Sequence, residues 1–197
     1  MTSAEPIIIV SGLPRSGTSL MMQMLQAGGV PILCDGARPP DASNPRGYFE
    51  YEKVKSLAAD HSWLNEARGK ALKVIAQLVP FLPPGLPYQF VFLDRDIGEI
   101  LRSQRSMIAA RGGSAAVDET TLARVFADQL AAAKSLAERM RPATSLSVAH
   151  HELMFRTEGA VDRLITFLNR PGLDRAAMIA AVDRSLYRAR VAGTATE

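Results

Sequence analysis

Two glycines five residues apart, Gly12 and Gly17, enclose Leu13-Pro14-Arg15-Ser16, and Thr18-Ser19 follow. This is the glycine spacing of a phosphate-binding turn. Without Cβ atoms at those points the backbone can curl until successive N–H groups converge. A helix opening near Thr18 adds unpaired N–H groups and the positive end of its dipole. The concavity suits a phosphate or another tetrahedral anion. Its candidate ligands are Pro14, Arg15, Ser16, Gly17, Thr18 and Ser19, with Arg15 adding charge from inside the turn. A second pair stands further on. Arg95 follows the apolar run 90–93, and Ser103 lies eight residues later. Arginine offers oxyanions a planar fork and serine adds a hydroxyl donor. A bound phosphate and a long Arg side chain can span the roughly 12 Å of helix rise between them.

The elements that must hold these groups follow from hydrophobic periodicity. The β-branched run 7–10 reads as a buried strand leading into the turn. Leu20, Met21, Met24 and Leu25 then form the core-facing stripe of a helix, which Gly28-Gly29 ends. Residues 30–33 read as a short strand or extended segment, and 35–46 as a polar, Pro-rich surface loop. The spacing predicts a helix over 47–59 and strands over 70–75 and 88–93. A helix over 96–110 carries Ile97, Ile100, Leu101, Gln104 and Ile108 on one face, and Gly112-Gly113 breaks it. Asp118 is placed to cap a long helix reaching about residue 140, with Leu122, Val125, Phe126, Leu130, Ala133 and Leu136 as its stripe. A strand over 145–149 and helices over 159–169 and 173–182 complete the chain. Strands alternating with helices imply an α/β fold with a parallel sheet covered on both faces. Ligands bind at the carboxyl ends of such strands, which puts the loop 35–46 over the anion.

Length and composition set the bounds. The chain has 197 residues, enough for one domain with a substantial core, and the whole of it, 1–197, reads as a single unit. The net charge of +3 is too mild to argue for nucleic acid, and no Lys/Arg run stands out. It suits one anionic ligand. Cys34 is the sole cysteine, which excludes an intrachain disulfide and a cysteine-based metal site. No apolar segment is long enough for a membrane span, and the opening residues lack a signal-peptide pattern. A cytoplasmic location is expected. Oligomerisation is left open.

Pro14-Arg15-Ser16-Gly17-Thr18-Ser19 resembles the 5′-phosphosulfate loop of the sulfotransferases, which bind 3′-phosphoadenosine 5′-phosphosulfate (PAPS). That resemblance implies a three-layer P-loop fold, and it implies sulfuryl transfer from PAPS to a hydroxyl or amine, with 3′,5′-adenosine bisphosphate as product. In the family an Arg and a Ser with the separation of Arg95 and Ser103 surround the 3′-phosphate. Asn44-Pro45-Arg46-Gly47-Tyr48-Phe49-Glu50 is similar to a segment following the loop in many bacterial members, and His151-Glu152-Leu153 resembles a turn late in the fold. Lys73 falls where a basic residue helps stabilise the sulfuryl group. Asp35 lies where some Golgi-type members carry the carboxylate base, with Glu50 as its competitor and His61 third. His150 and His151 are read as structural. Arg15, Asp35, Glu50 and Lys73 are thus the implied catalytic set. Two features depart from the cytosolic branch. Ile75 stands in place of its catalytic His, and its late Gly-x-x-Gly-x-x-Lys is missing; Arg188 and Arg190 either replace that charge or are solvated tail residues. The acceptor class stays open among small molecules, lipids and carbohydrates.

Sulfuryl transfer makes demands like those of phosphoryl transfer. Positioning and electrostatics carry most of the work, and no metal is expected if cations and dipoles suffice. Two other readings remain. Residues 90–93 followed by Asp94 have the form of an apolar run ending in a metal-holding carboxylate, as in a P-loop kinase or nucleotide hydrolase. Against that, Thr18 occupies the place of the ATPase lysine after Gly17. The other reading is a non-catalytic nucleotide-binding protein.

Overall fold

The structure, a computed structural model, describes residues 5–41, 44–110, 112 and 118–187. Four parallel strands form its centre: β1 (Ile7–Gly12), β2 (Ala71–Lys73), β3 (Tyr88–Asp94) and β4 (Thr144–Ala149), in the order β2-β1-β3-β4. Val10 pairs with Lys73 on one side, and Gly12 pairs with Leu93 on the other. The fold is therefore α/β, with a central parallel sheet flanked by helices.

Strand alternation divides the core in two. Ile7, Ile9, Leu72, Phe90 and Phe92 point to one face. There they meet α2 (Ile97–Ala110), α3 (Glu119–Arg139) and the short 3₁₀ turns around Trp63 and Val79. Ile8, Val10, Val91, Leu93 and Val148 point to the other. They pack on α1 (Thr18–Ala27), α5 (Thr157–Leu168) and Met178 of α6 (Arg175–Ala180). A short α4 (His150–Phe155) follows β4 directly.

The crossover from β1 through α1 runs outward to β2. The one from β3 through α2 and α3 runs outward the other way, to β4. Right-handed crossovers in opposite directions place their helices on opposite faces, so the chain diverges between β1 and β3. That divergence opens a crevice beyond the strand ends, where the phosphate loop and Arg95 both lie.

Most expected elements are present, and several boundaries move. Asp118 does cap α3, its carboxylate accepting the N–H groups of Thr120 and Thr121. The helix expected over 47–59 does not form; only a 3₁₀ turn, Glu52–Ser56, appears. Tyr48 is buried, while Phe49 and Tyr51 pack against opposite core clusters, which one helix face cannot satisfy, and Gly47 and Phe49 take left-handed conformations at φ 92° and 54° that break a helix. The segment 30–33 makes a single bridge, Ile32 to Ala71, and no full strand. The last helix shrinks to α6 because Asp174 caps it, accepting from the Ala177 N–H. Within the α3 stripe, Val125 is exposed. Of the expected helix break, Gly112 is described and Gly113 is not.

Candidate active site

The phosphate loop takes the conformation its glycines permit. Gly12 has φ 151°, and a Cβ there would sit 2.5 Å from Ser16 Oγ and 2.9 Å from the Leu93 carbonyl oxygen. Gly17 has φ 104°, and a Cβ would come within 2.6 Å of His150 Cδ2. Between them Arg15 is held at φ 70°, a left-handed conformation that costs free energy in a non-glycine residue. The Ser16 N–H bonds to the Leu13 carbonyl at 3.1 Å, closing the turn. No side chain caps α1, so its first N–H groups face the loop's concavity. Ser16 Oγ is buried with no hydrogen-bond partner.

The second motif joins the first directly. Arg15 Nε donates to Ser103 Oγ at 3.0 Å, and Arg95 Nη1 donates to the Arg15 carbonyl at 3.0 Å. Arg95 is itself fixed by Glu99, its Nε donating to Oε2 at 2.9 Å. Glu99 is buried and accepts from the Tyr187 hydroxyl at 2.6 Å. The Tyr187 ring also lies 5.3 Å from the Arg95 guanidinium carbon. A buried charge of this kind persists where it is paired and hydrogen-bonded, and this one is both. Sequence reasoning missed Glu99 and Tyr187. Glu99 was legible as the i+4 partner of Arg95; Tyr187 carried no local signal.

On the other side of the loop, Lys73 ends β2 with 9% of its side chain exposed. Its Nζ donates to the Tyr48 carbonyl at 2.9 Å and to Ser19 Oγ at 3.2 Å, and lies 3.7 Å from Glu50. Burial pulls the Lys73 pKa down to about 8. Glu50 opposes the shift, while Arg38 and Arg15 add to it. Arg38 bonds the Glu50 carboxylate at 2.9 Å and stacks 3.3 Å above the Tyr48 ring. The Tyr48 hydroxyl donates to Asp41 at 2.7 Å. Burial also depresses the Arg15 pKa, with Arg95 contributing and Tyr48 and Asp41 opposing.

A cleft of about 740 Å³ opens at the carboxyl ends of β1, β2 and β3; Ser16, Asp41 and Glu99 are not among its lining residues. A smaller hollow, between α5 and α6, contains none of the groups above. Pro14, Arg15, Gly17, Thr18, Ser19, Glu50, Lys73, Arg95 and Ser103 all line the cleft. Asp35 does not. Its exposed carboxylate accepts from the Glu52 and Ala37 N–H groups, and these bonds hold its pKa below the usual carboxylate range. It orders the loop instead of facing the anion site. Glu50 also lies on irregular chain rather than one turn into a helix. His61 is exposed and outside the cleft. His150 lines the cleft but is buried, and burial pushes its pKa down to about 3, with Arg95 adding to the shift and Glu99 opposing it. It is a neutral wall beside Gly17. His151 is exposed on α4. Arg188 and Arg190 lie outside the described residues.

Asp94, the residue a kinase would use to hold magnesium, is occupied. Both of its oxygens bond Lys134 of α3, at 2.6 and 2.7 Å. No cluster of three or more metal-ligating side chains occurs among the described residues.

Two solved structures are similar over nearly the whole chain. The sulfotransferase domain from the curacin biosynthetic pathway aligns at a TM-score of 0.54 and 15% identity, covering 94% of this chain and 90% of that one. The sulfotransferase domain from the Synechococcus PCC 7002 olefin synthase aligns at 0.54 and 13%, covering 100% and 93%. The fold is that of a sulfotransferase domain. A sugar kinase from Janibacter sp. aligns at 0.46 and 14% identity, over 88% of this chain and 98% of that one. No protein-family profile matches the chain, and no curated protein matches it in sequence. No helix among the described residues is long and apolar enough to cross a membrane.

Proposed function

We propose that the chain is a sulfotransferase that uses PAPS to sulfate a hydroxyl or amine on a small-molecule, lipid or carbohydrate acceptor. The observation that carries this reading is the bond from Arg15 in the phosphate loop to Ser103 in the second motif. It brings the residues read as the two ends of the nucleotide site into one cleft. The cleft also fits such a ligand in its own chemistry. The tight curl of the loop is one that a Cβ at Gly12 or Gly17 would prevent by meeting Leu93 or His150, and no side chain caps the helix N-terminus that follows it.

The nucleotide, when bound, supplies an activated sulfuryl group. The protein's task is to meet negative charge with fixed dipoles and cations. The loop N–H groups, Thr18, Ser19 and Arg15 would hold the 5′ side, and Arg95 and Ser103 bound the 3′ side. Lys73 already donates to Ser19 Oγ, so it stands beside the loop where charge would gather. The acceptor must lose a proton, and Glu50 is the carboxylate in position to take it. It lies 3.7 Å from Lys73 on the cleft wall, whereas Asp35 is turned away and engaged by backbone.

Two measurements test the reading. Calorimetry in EDTA should show 3′,5′-adenosine bisphosphate binding more tightly than ATP. Tight, magnesium-dependent ATP binding without bisphosphate preference overturns the proposal. Labelled-sulfate transfer to a panel of hydroxyl and amine acceptors then assigns the base. Glu50→Gln should lose roughly 10²–10⁴-fold in turnover with bisphosphate affinity unchanged. Asp35→Asn should keep its turnover.

A further inference from the structure

We propose that Arg38 is a specificity residue for the acceptor, and that the acceptor carries an oxyanion, a carboxylate or a phosphate, a few bonds from the hydroxyl or amine that is sulfated. The inference rests on the PAPS reading above and on Glu50 as the base. It comes from which arginine of the cleft keeps a usable edge.

Arginine grips an oxyanion best through the edge where the Nε–H and an Nη2–H run parallel. Arg15, Arg38, Arg46, Arg95 and Arg102 line the cleft. In all but one that edge is taken or closed off. Arg15 Nε donates to Ser103, and Arg95 Nε donates to Glu99. Arg46 Nη2 bonds Asp183 at 3.0 Å while its Nη1 holds the Ala181 carbonyl. The Nε and Nη2 of Arg102 are enclosed by protein, out of a ligand's reach. Arg38 differs. Its Nη1 bonds Glu50 at 2.9 Å, and among the described residues nothing accepts from its Nε or Nη2. Its side chain is 35% exposed, and neither of those two nitrogens is enclosed. The edge is open to a ligand.

The fork is also held in place before anything binds. Its guanidinium carbon lies 3.3 Å from the centre of the Tyr48 ring, a cation–π contact. Tyr48 is itself buried, and its hydroxyl donates to Asp41 at 2.7 Å. A guanidinium fixed on such a platform loses less freedom when an anion arrives. Its position sets what the anion belongs to. The guanidinium that carries the open edge also bonds the carboxylate proposed to take the acceptor's proton. An acceptor whose hydroxyl reaches Glu50 therefore brings its neighbouring atoms beside Arg38. Burial depresses the pKa of both Lys73 and Arg15, and Arg38 adds to each shift. Arg38 thus stands near the groups that would hold the 5′ side of the nucleotide, where the sulfuryl group leaves. A carboxylate or phosphate there would accept from Nε and Nη2 at once, which a neutral acceptor does not offer.

The test binds matched probes to the protein loaded with 3′,5′-adenosine bisphosphate. 4-Hydroxyphenylacetate is paired with its methyl ester and glycerol-3-phosphate with glycerol, each titrated by calorimetry. In the wild type at least one anion should bind roughly 10- to 100-fold more tightly than its neutral partner. Which pair shows the preference separates carboxylate from phosphate. Arg38→Met still covers the Tyr48 ring and should remove the preference. Arg38→Lys keeps the charge without the fork and should retain only part of it. Bisphosphate affinity should fall no more than about threefold in either variant, because a partly exposed charge acting at a distance is screened. Three results overturn the assignment and leave the PAPS reading standing: neither anion outbinds its neutral partner in the wild type, the preference survives in Arg38→Met, or Arg38→Met weakens the bisphosphate as much as it weakens the anion. The last of these gives Arg38 to the nucleotide. A wild-type chain that binds ATP with magnesium more tightly than the bisphosphate overturns the PAPS reading, and this assignment with it.

Discussion

Binding of 3′,5′-adenosine bisphosphate should draw a proton into the cleft, and the number taken up should climb steeply with pH. Lys73 is the source. With its pKa at about 8, it is roughly nine-tenths protonated at pH 7, half at pH 8 and one-tenth at pH 9. Its depression comes first from burial, and two neighbouring arginines add to it. A polyanion placed beside Ser19 would outweigh those arginines and favour the charged ammonium. If the pKa returns toward its ordinary 10.5, uptake on binding becomes roughly 0.1 proton at pH 7, 0.5 at pH 8 and 0.9 at pH 9. Calorimetry in pairs of buffers with different ionisation enthalpies measures this number directly. The ligand's own phosphate titrates near pH 6, below this window. Lys73→Met should abolish the rise and weaken binding less at pH 9 than at pH 7. A flat uptake curve in the wild type, or the same curve in Lys73→Met, would refute the placement of Lys73 beside the ligand's charge.

Other expectations follow from single contacts. Gly17→Ala adds a Cβ at φ 104° and 2.6 Å from His150 Cδ2. It should cost roughly 1–2 kcal/mol in backbone strain alone, seen as a lower urea midpoint, and adding His150→Ala should recover only the steric remainder. His150 stays neutral in the fold down to about pH 3, among Arg95, Glu99, His151 and the Tyr187 ring. The unfolded chain protonates it near 6.5. The unfolded state therefore binds more protons between these values, and stability falls as pH drops through that window, by roughly 1.4 kcal/mol per pH unit from this group. Stability curves of His150→Gln should lack that part of the slope. Asp94→Asn removes a partly exposed ion pair with Lys134 and should cost no more than about 1 kcal/mol, without changing bisphosphate affinity or creating a magnesium requirement. Loss of nucleotide binding in that variant would return Asp94 to the metal-holding role.

The sequence determined on its own those features whose cause is local. The phosphate loop was legible because Gly12 and Gly17 sit where only a residue without a Cβ fits, and that requirement is written at the residue itself. The strands of the sheet were legible from short apolar runs, and the Asp118 cap from a side chain two and three residues from the N–H groups it accepts. Tertiary structure decided what depends on partners far along the chain. Residues 47–59 have a helix-like pattern, yet Tyr48, Phe49 and Tyr51 must reach different clusters of the core, and the backbone turns through left-handed conformations at Gly47 and Phe49 instead of coiling. Asp35 and Glu50 looked equivalent by type. The Asp35 carboxylate meets backbone N–H groups and turns outward, while Glu50 meets Arg38 and Lys73 and faces the cleft. The arginines sorted in the same way. Which of them keeps an unengaged fork depends on Glu99, Ser103 and Tyr187, and Tyr187 reaches Glu99 from 88 residues away. Residue type sets what a side chain can bond to, but only packing sets which partners arrive first.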